Sequence, residues 1–415
     1  MAQKLSDAEQ SFENQAAEVM QRVRAAVEHL VTRVTGRTHT RSSDLVDALT
    51  VDPRLAWKFV KIIQPGDPLA AIRYVPGPRG IKLFLNAAAR RPGVAPAIAA
   101  AKEAFGDFEA LVRREGGDRR SFDMMVAGHS QTDRGDVDLE HRKGAFTHNS
   151  YIWGVQARAQ IHTYLVQPSG DGEHLDAAVV RGFVRLRRVR PHTPWRISRF
   201  YTIDDSGEVH GEFARSPIDP PDEDAVPLLR RFCSKPMPQV RREVGPHAVI
   251  DYVLAESDVG NTGAVTCLTG ELIRKAEPCF ADDLHAVLGT KTPLRTPCEV
   301  VVADLFLRRD FFGQISPSLR LVSDLFSERM GIIYGPTDQL PLQDQVESLG
   351  GGPYVAPMPE MPRYAEMIQH CGDRLGWNLE QFDCYRVRVQ YPPVPAALVV
   401  HSPLPPRSRE ADATG

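Results

Sequence analysis

Residues 41–61 read RSSDLVDALTVDPRLAWKFVK, and this stretch decides how the N-terminal part of the chain is expected to fold. It predicts two short helices joined by a tight turn. The first helix is expected from Asp44 to Leu49, capped at its N-terminus by the hydroxyl of Ser42 or Ser43. The turn falls at residues 50–52, where the apolar pattern breaks.

The second helix of this stretch has one apolar face and one basic face. Pro53 is expected at its first position, where a proline loses no hydrogen bond, and Asp52 is expected to cap it. The positions that two crossed helices must bury are apolar, namely Leu45, Leu49, Val51, Ala56 and Phe59. The opposite face of the second helix carries Arg54, Trp57, Lys58 and Lys61.

This pattern resembles the helix-turn-helix of bacterial transcription regulators, over about twenty residues of the chain. Thr50 stands where such motifs often have a glycine, and Val46 stands where a small alanine is usual. The resemblance implies that the second helix enters the major groove of DNA. The residues that it implies for DNA contact are Arg54, Trp57, Lys58 and Lys61, with Arg41 on a phosphate. Two packed helices of an all-α domain would show the same pattern without binding DNA.

The charge of the whole chain limits any nucleic-acid site to a local patch. The chain of 415 residues has 50 Lys and Arg, 53 Asp and Glu, and a net charge of −3, so it is not a polycation that coats nucleic acid. The segment from Arg33 to Lys61 has a small excess of basic residues. It contains Arg33, Arg37, Arg41, Arg54, Lys58 and Lys61 against Asp44, Asp47 and Asp52.

Several features of the sequence predict a cytoplasmic protein. No apolar run approaches the ~20 residues that span a bilayer, and the N-terminus lacks the apolar core of a signal peptide. The six cysteines form no C-x-x-C pair, which is typical of reduced, buried thiols in a chain of this size. We therefore expect no membrane partner.

The hydrophobic pattern predicts an α+β fold, with an N-terminal all-α helix-turn-helix domain followed by a larger mixed α+β region. The first helix, Ser6 to Val34, has an apolar stripe that is also a candidate dimerisation surface. After the helical domain we expect Leu175–Val180 as a short helical piece or a turn, and a helix at Ser318–Met330. The expected division is a helical domain at 1–117, a connector at 118–146, a β-rich domain at 147–215, a linker at 216–226, the mixed region at 227–401 and a disordered tail at 402–415.

The densest basic run of the chain lies in the predicted β-rich domain and comprises Arg181, Arg185, Arg187, Arg188, Arg190, Arg196 and Arg199. Alternation along a strand would place Arg185 and Arg187 on one face, where their planar side chains suit a phosphate or carboxylate. These two residues are therefore the candidate anion-binding pair. In the other interpretation the arginines pair with the acidic segments at residues 204–205 and 222–224, and the balance of charge favours it.

No motif indicates a catalytic residue, a metal site or a cofactor. The G-x-S-x-G, G-x-x-x-x-G-K-[ST] and strand-linked G-x-G-x-x-G patterns are absent from the sequence. The His and Asp residues between Gly128 and His148 match no metal template. Cys371, beside His370, and Cys384 are expected to be buried thiols rather than nucleophiles.

We predict from these features a DNA-binding transcriptional regulator that acts as a homodimer on double-stranded DNA, with a C-terminal region that senses a small-molecule effector or oligomerises. Two alternatives remain open. One is a small-molecule-binding protein or an enzyme for an anionic substrate, with its site among the strands of residues 147–213. The other is an oligomeric assembly protein in which the Ser6–Val34 helix joins the subunits.

Overall fold

The computed structural model describes residues 2–129, 134–200, 202–203, 209–210, 215–221, 226–246, 249–255, 258–281, 286–323 and 336–407. It confirms the predicted α+β class, with a helical region followed by a mixed sheet region. Contacts between Cα atoms divide the chain into two compact units, residues 1–138 and residues 139–415. The two units are described separately below.

Ten helices lie in the described residues. They are α1 (Ala2–Thr35), α2 (Ser42–Leu49), α3 (Pro53–Ile63), α4 (Pro68–Ala71), α5 (Pro78–Ala88), α6 (Ala95–Leu111), α7 (Arg119–His129), α8 (Arg134–Trp153), α9 (Arg309–Phe312) and α10 (Tyr364–Leu375). The connector predicted at 118–146 is thus largely helical, because α7 and most of α8 occupy it. The division between the units falls within α8.

The long helix α1 organises the first unit, residues 1–138, which is called the helical unit below. Val23, Val27 and Leu30 of its apolar stripe are fully buried within the unit, and Ala26 and Val34 are partly buried. Helix α6 packs along it, and Arg22 Nη1 lies 2.6 Å from Asp107 Oδ2 between the two helices. The apolar stripe, which was also a candidate dimerisation surface, therefore packs largely inside the unit.

Helices α2 and α3 confirm the predicted pair of helices joined by a turn. Asp52 caps α3 as predicted, since its Oδ1 accepts from the backbone N–H of Arg54 at 2.9 Å and of Leu55 at 3.2 Å. The predicted serine cap of α2 is wrong, because Ser42 is already helical. Instead, Asp44 Oδ2 accepts from the backbone N–H of Arg41 at 2.8 Å.

Thr50 ends α2 in the left-handed region, with φ 54° and ψ 43°. Its backbone N–H donates to the carbonyl of Val46 at 2.8 Å. Glycine is the usual residue at this kind of helix end, since a side chain with a Cβ is strained there. The sequence departs from the glycine pattern at the residue where the backbone requires a positive φ.

We expect Thr50→Gly to stabilise the helical unit by about 1 kcal/mol, because it removes the left-handed strain. Urea unfolding followed by far-ultraviolet circular dichroism measures the change. Thr50→Ala is the matched control, since alanine keeps the strain and should give no gain. Equal stability of the glycine and alanine variants would show that the turn carries no strain.

Sixteen strands lie in the described residues. They are β1 (Val155–Pro168), β2 (His174–Arg188), β3 (Trp195–Phe200), β4 (Thr202–Ile203), β5 (Val209–His210), β6 (Arg215–Pro217), β7 (Val240–Val244), β8 (Ile250–Leu254), β9 (Val265–Pro278), β10 (Val287–Leu294), β11 (Cys298–Arg308), β12 (Ser318–Ser323), β13 (Gln339–Leu340), β14 (Glu347–Gly351), β15 (Phe382–Gln390) and β16 (Ala396–Pro403).

The second unit, residues 139–415, is called the β-rich unit below, and a seven-stranded sheet in the order β14-β15-β11-β1-β2-β9-β6 organises it. Strands β1 and β11 are parallel, and the other neighbours are antiparallel. The regions predicted as separate at 147–215 and 227–401 therefore share one sheet. Pairing between strands that are far apart in sequence joins the two regions into one sheet. Local sequence patterns carry no information about such pairing. Two smaller sheets have the orders β10-β16-β12-β13 and β3-β8-β7.

Three local predictions for this unit need correction. Ser318 begins strand β12 rather than a helix, and residues 324–335 of that prediction lie outside the described residues. Residues 175–180 are part of β2, because they pair on both sides with β1 and β9. Of the predicted tail, residues 402–403 belong to β16, and residues 408–415 lie outside the described part, as do residues 222–225 of the linker.

The two faces of the large sheet bury different layers. On one face, α10 packs through Met367, Ile368 and Cys371 onto a cluster that includes Phe306. On the other face, the two smaller sheets contribute Phe200, Leu294 and Leu398 to a second cluster. The sheet is therefore covered on both sides.

A buried polar network joins α10 to the centre of the sheet. Arg386 donates to both carboxylate oxygens of Asp304, at 2.8 and 2.7 Å. The Tyr364 hydroxyl donates to Asp304 Oδ2 at 2.6 Å and lies 2.7 Å from Thr163 Oγ1. Burial, followed by the negative charge of Asp304, holds the pKa of Tyr364 well above its usual value. One network thus connects β1, β11, β15 and α10.

We expect Asp304→Asn to destabilise the β-rich unit by about 3–5 kcal/mol, because it leaves the buried guanidinium of Arg386 without its counter-charge. In a Trp57→Phe background all remaining tryptophans lie between residues 139 and 415, so the fluorescence change in urea reports this unit. Asp310→Asn is the control, since the Asp310 side chain is 61% exposed and its pair with Arg308 should contribute at most about 1 kcal/mol. Similar losses in both variants would contradict a special role for the buried pair.

Candidate functional site

The face of the large sheet opposite α10 forms the floor of a cavity of about 640 Å³. Alternate residues of β1 and their partners on β2 line it, since side chains along a strand point to opposite faces in turn. The pairs in register are Gln160 with Phe183, His162 with Arg181, Tyr164 with Val179, and Val166 with Ala177.

Strands β3 and β10 form the walls of the cavity, and each is the edge strand of its own sheet. Side chains of the floor cover the edge of β10. Gln160 Nε2 donates to the carbonyl of Pro293 at 2.7 Å, and the Tyr164 hydroxyl donates to the carbonyl of Lys291 at 3.0 Å. Because these carbonyls are bonded, the edge is protected from pairing with another chain.

The cavity is strongly cationic. Of the described residues that line it, six are basic, namely Arg181, Arg196, Arg199, Arg215, Lys291 and Arg295, and one is acidic, Glu277. Outside the lining, Asp251 pairs with Arg199, whose Nε and Nη2 donate to it at 2.8 and 2.7 Å.

Two guanidinium groups meet at the ring of Phe200. The Cζ atom of Arg181 lies 4.0 Å from the ring centroid, and that of Arg215 lies 4.4 Å from it. The nearby carboxylate belongs to Glu271, whose Oε2 is 3.9 Å from Arg215 Nη1, longer than a hydrogen bond. Burial raises the pKa of Glu271, although both arginines lower it.

Both arginines stay charged at neutral pH. Burial lowers the pKa of Arg181. Burial, and then the positive charge of Arg181, lower the pKa of Arg215 to about 10. The two cations thus lie near the buried carboxylate of Glu271, and a buried charge is costly unless an opposite charge accompanies it.

Several buried polar atoms in or beside the cavity have no hydrogen-bond partner within the described part of the chain. They are Gln160 Oε1, His162 Nε2, Arg181 Nε, Ser198 Oγ and Glu271 Oε2. Buried polar groups in native proteins are nearly always bonded, so such a cluster indicates a place where water or a ligand binds. The cluster includes both donors and acceptors.

His162 is a neutral imidazole in this setting. It is 3% exposed and stacks on Tyr164, with ring centroids 4.8 Å apart. Burial, and then the positive charge of Arg181, hold its pKa well below 6.5. The free Nε2 can therefore donate to or accept from a ligand, depending on the tautomer.

The predicted anion-binding pair does not line the cavity. A bulge between Phe183 and Leu186 breaks the alternation that would align the pair, and Arg185 lies in it with φ 52°. Its side chain is exposed, and Arg187 donates to Asn261 Oδ1. The arginine run instead supplies Arg181, Arg196 and Arg199 to the cavity.

The acidic partners expected for the run, at residues 204–205 and 222–224, lie outside the described residues. Several of these arginines bind other groups of the unit. Arg188 is buried and donates to the carbonyls of Thr193, Leu254 and Ala255, at 2.8, 3.2 and 2.8 Å. This arginine is structural.

Helix α3 presents the predicted DNA-contacting side chains on one face of the helical unit. Arg54 is exposed, Trp57 is 45% exposed, and Lys58 and Lys61 are half-buried. Arg41 is exposed at the start of α2. Lys61 Nζ lies 5.9 Å from the ring centroid of Trp57 and 3.0 Å from Gln64 Oε1.

The basic character continues beyond α3. Trp57 meets Tyr74 edge to face at 5.4 Å, and Arg73 Cζ lies 5.3 Å from the Tyr74 ring centroid. From residue 54 to residue 91 the chain has an excess of seven basic residues, since Arg54, Lys58, Lys61, Arg73, Arg79, Lys82, Arg90 and Arg91 stand against Asp67. Helix α5 carries two of these residues and packs on α3 through the stacked rings of Phe84 and Phe59, 3.7 Å apart.

Cys371, Cys384 and the acidic residues that the structure describes form no second site. Cys371 and Cys384 are buried as predicted, and burial raises the pKa of each thiol. Among the described residues, no group of three or more His, Cys, Asp or Glu side chains is placed to hold a metal ion. None of the described helices has the length and apolar character needed to cross a membrane.

Comparison with known proteins assigns no family. No protein-family model matches the chain, and neither a curated protein nor a solved structure is similar to it.

Sequence reasoning missed His162, Tyr164, Arg215 and Glu271 as parts of a site. A signal for the first two was present, because polar residues recur at every second position in the otherwise apolar strand around Ile161. Arg215 and Glu271 gave no such signal. They reach the cavity only because β6 and β9 pair beside β2.

His162 should make the stability of the β-rich unit depend on pH. Because its folded pKa lies below its unfolded value of 6.5, its contribution is complete above that pH and is lost as the pH falls. The loss reaches about 1.4 kcal/mol per pH unit. We expect His162→Gln to lack this part of the acid destabilisation.

Urea unfolding in the Trp57→Phe background, between about pH 7.5 and about pH 5.5, measures this difference. A parallel pH dependence in the His162→Gln variant would mean that His162 titrates normally and is not held neutral in the cavity.

Proposed function

We propose that the β-rich unit binds a small organic anion in the cavity between the large sheet and the strands β3 and β10. The observation that carries the proposal is the guanidinium of Arg181, whose buried Nε has no hydrogen-bond partner among the described residues and whose Cζ lies 4.0 Å from the centroid of the Phe200 ring, which Arg215 also contacts. A ligand anion would accept charge-assisted hydrogen bonds from this group.

The size and lining of the cavity support this function. Its volume of about 640 Å³ lies within the range of small-molecule sites. Apolar side chains with a few convergent polar groups are the usual composition of such sites. His162 Nε2 and Ser198 Oγ supply polar atoms whose bonding capacity the described residues leave unused.

Benzoate and phenyl phosphate, with benzyl alcohol as the neutral analogue, test the proposal by isothermal titration of the full-length protein. We expect the anions to bind and the alcohol to bind far more weakly. Arg181→Met and Arg215→Met should each weaken anion binding about tenfold to a hundredfold, the value of a charge-assisted hydrogen bond.

Arg185→Met is the matched control, because it removes an exposed arginine of the same strand outside the cavity lining. It should leave the dissociation constant unchanged. Anion binding that is equal in all three variants, or that is absent from the folded wild type, would refute the proposed function.

A second candidate function is the binding of double-stranded DNA by the helical unit, which would make the chain a ligand-responsive regulator. The observation that favours it is the face of α3 that carries Arg54, Lys58 and Lys61 with the exposed Trp57, in a segment, residues 54–91, that has an excess of seven basic residues. Basic side chains on one surface are the electrostatic footprint of contact with a phosphate backbone.

Binding to random-sequence duplex DNA across a salt series tests this second function. If Lys58 and Lys61 contact phosphates, Lys58→Ala with Lys61→Ala should reduce the slope of log K against log salt by about two. The control, Lys102→Ala in α6 with Arg113→Ala just after the end of α6, removes the same charge and should keep the slope. The same reduction in both double variants would indicate a general charge effect rather than docking of α3.

A further inference from the structure

Cys233 and Cys267 are neighbouring thiols in the β-rich unit. Cys267 lies on β9, and Cys233 belongs to the segment of residues 226–234 that runs beside this strand. The backbone N–H of Leu268 donates to Cys233 Sγ at 3.4 Å, and the Cys233 thiol lies 3.6 Å from the Leu268 carbonyl oxygen. The thiol of Cys267, the residue before Leu268, also donates to Cys233. Two cysteines from different parts of the chain are therefore in contact.

Backbone hydrogen bonds on both sides of Cys233 hold this contact in place. The Leu229 N–H donates to the Leu268 carbonyl at 2.9 Å, and the Ser234 N–H donates to the Thr266 carbonyl at 2.9 Å. The second of these bonds joins the residue after Cys233 to the residue before Cys267. So short a connection brings the two Cα atoms within reach of the separation of roughly 4.4–6.8 Å that a disulfide needs.

Cys233 is the thiol of this pair that a reagent in solvent can reach. It is half-buried, whereas the other five cysteines are buried. The hydrogen bond from Cys267 lowers the pKa of Cys233, and although burial opposes this, the Leu268 N–H and the charge of Arg230 lower it further. The same bond, followed by burial, holds the pKa of Cys267 well above its usual value. Because the thiolate is the reactive form, Cys233 is the nucleophile of the pair.

The remaining four thiols of the chain are poorer targets for an oxidant. Burial raises the pKa of Cys279 to about 11 and that of Cys298 to about 12. It also raises the pKa of Cys371 and of Cys384. A buried thiol that keeps its proton reacts slowly with a peroxide, so oxidation of this chain should begin at Cys233.

From this contact we infer that Cys233 and Cys267 form a site of reversible oxidation, at which hydrogen peroxide converts the two thiols into a disulfide. The Cys233 thiolate attacks one peroxide oxygen, the O–O bond breaks, and the hydroxide that leaves takes up the proton that Cys233 has released. The product is a sulfenic acid at Cys233 and one molecule of water.

The second step closes the disulfide. The Cys267 sulfur attacks the Cys233 sulfur, the S–S bond forms as the S–O bond breaks, and the leaving hydroxide takes the Cys267 proton as a second molecule of water. Both cysteines are oxidised and the peroxide is reduced, so no further reactant is needed. A small dithiol reverses the change by exchange at the half-buried Cys233 sulfur.

Counting free thiols in the full-length protein tests this site. After exposure to hydrogen peroxide, unfolding and alkylation, the protein should show four free thiols instead of six, and treatment with dithiothreitol before alkylation should restore six. Peptide mapping without a reductant should find the peptide of Cys233 joined to that of Cys267. Six free thiols after peroxide, or a disulfide that joins other cysteines or two chains, would overturn the assignment.

Two variants separate the roles of the pair. In Cys233→Ser, peroxide should leave all five remaining thiols free, because Cys267 is buried and keeps its proton. In Cys267→Ala, the sulfenic acid lacks its resolving thiol, so dimedone should trap it at Cys233. Cys279→Ala is the matched control, just after the end of β9, and should still form the disulfide, with three free thiols instead of five.

The outcomes decide the site whatever the cavity binds, because none of these measurements depends on anion binding. Loss of thiols in Cys233→Ser, or the absence of a dimedone adduct in the folded Cys267→Ala variant, would show that Cys233 is not the nucleophile. Circular dichroism identifies a variant that fails to fold, and in that case the peptide map of the wild type decides.

Discussion

The buried ion pair of Asp304 and Arg386 is the interaction on which the β-rich unit depends. It joins neighbouring strands at the centre of the seven-stranded sheet, and through the Tyr364 hydroxyl it also fixes α10. A buried ion pair is stable only where further hydrogen bonds replace the water that both charges lose. Here the carbonyl of Pro357 also accepts a hydrogen bond from Arg386, at 2.6 Å. The network leaves little freedom in how the strands and the helix meet.

The polar groups on the two faces of these strands differ in how completely they are hydrogen-bonded. Thr163 of β1 points toward α10 and is bonded to Tyr364, while its neighbours His162 and Tyr164 point into the cavity. On the α10 face the charges are matched. On the cavity face Arg181 Nε and His162 Nε2 have no hydrogen-bond partner in the described part of the chain. A preformed ligand site needs polar groups that are still free to bond and a rigid surrounding that holds them in place. The fully hydrogen-bonded network on the α10 face can hold the groups of the cavity in this way.

The two proposed binding sites use positive charge in different physical settings. The basic residues around α3 are exposed or half-buried, so salt screens them and their contribution to binding should depend on ionic strength. In the cavity the arginines are partly removed from water, where a matching anion interacts more strongly and salt competes less. Sequence reasoning found the exposed set, because the periodicity of one helix is local. For the cavity it found only a run of arginines, and it did not distinguish those that line the cavity from those that do not.

The sequence by itself determined the α+β class, the helices α1, α2 and α3, the Asp52 cap of α3, and the basic face that Arg54 and Lys58 share. These features follow from periodicity and capping within a few residues. Only the tertiary structure decided that residues 147–215 and 227–401 form one sheet, that β12 is a strand, and that Arg185 leaves the face of its neighbours at a bulge. The physical reason is that strand pairing is non-local. His162, Arg181, Arg215 and Glu271 lie on four strands, and hydrogen bonding between strands up to about a hundred residues apart brings them to one cavity.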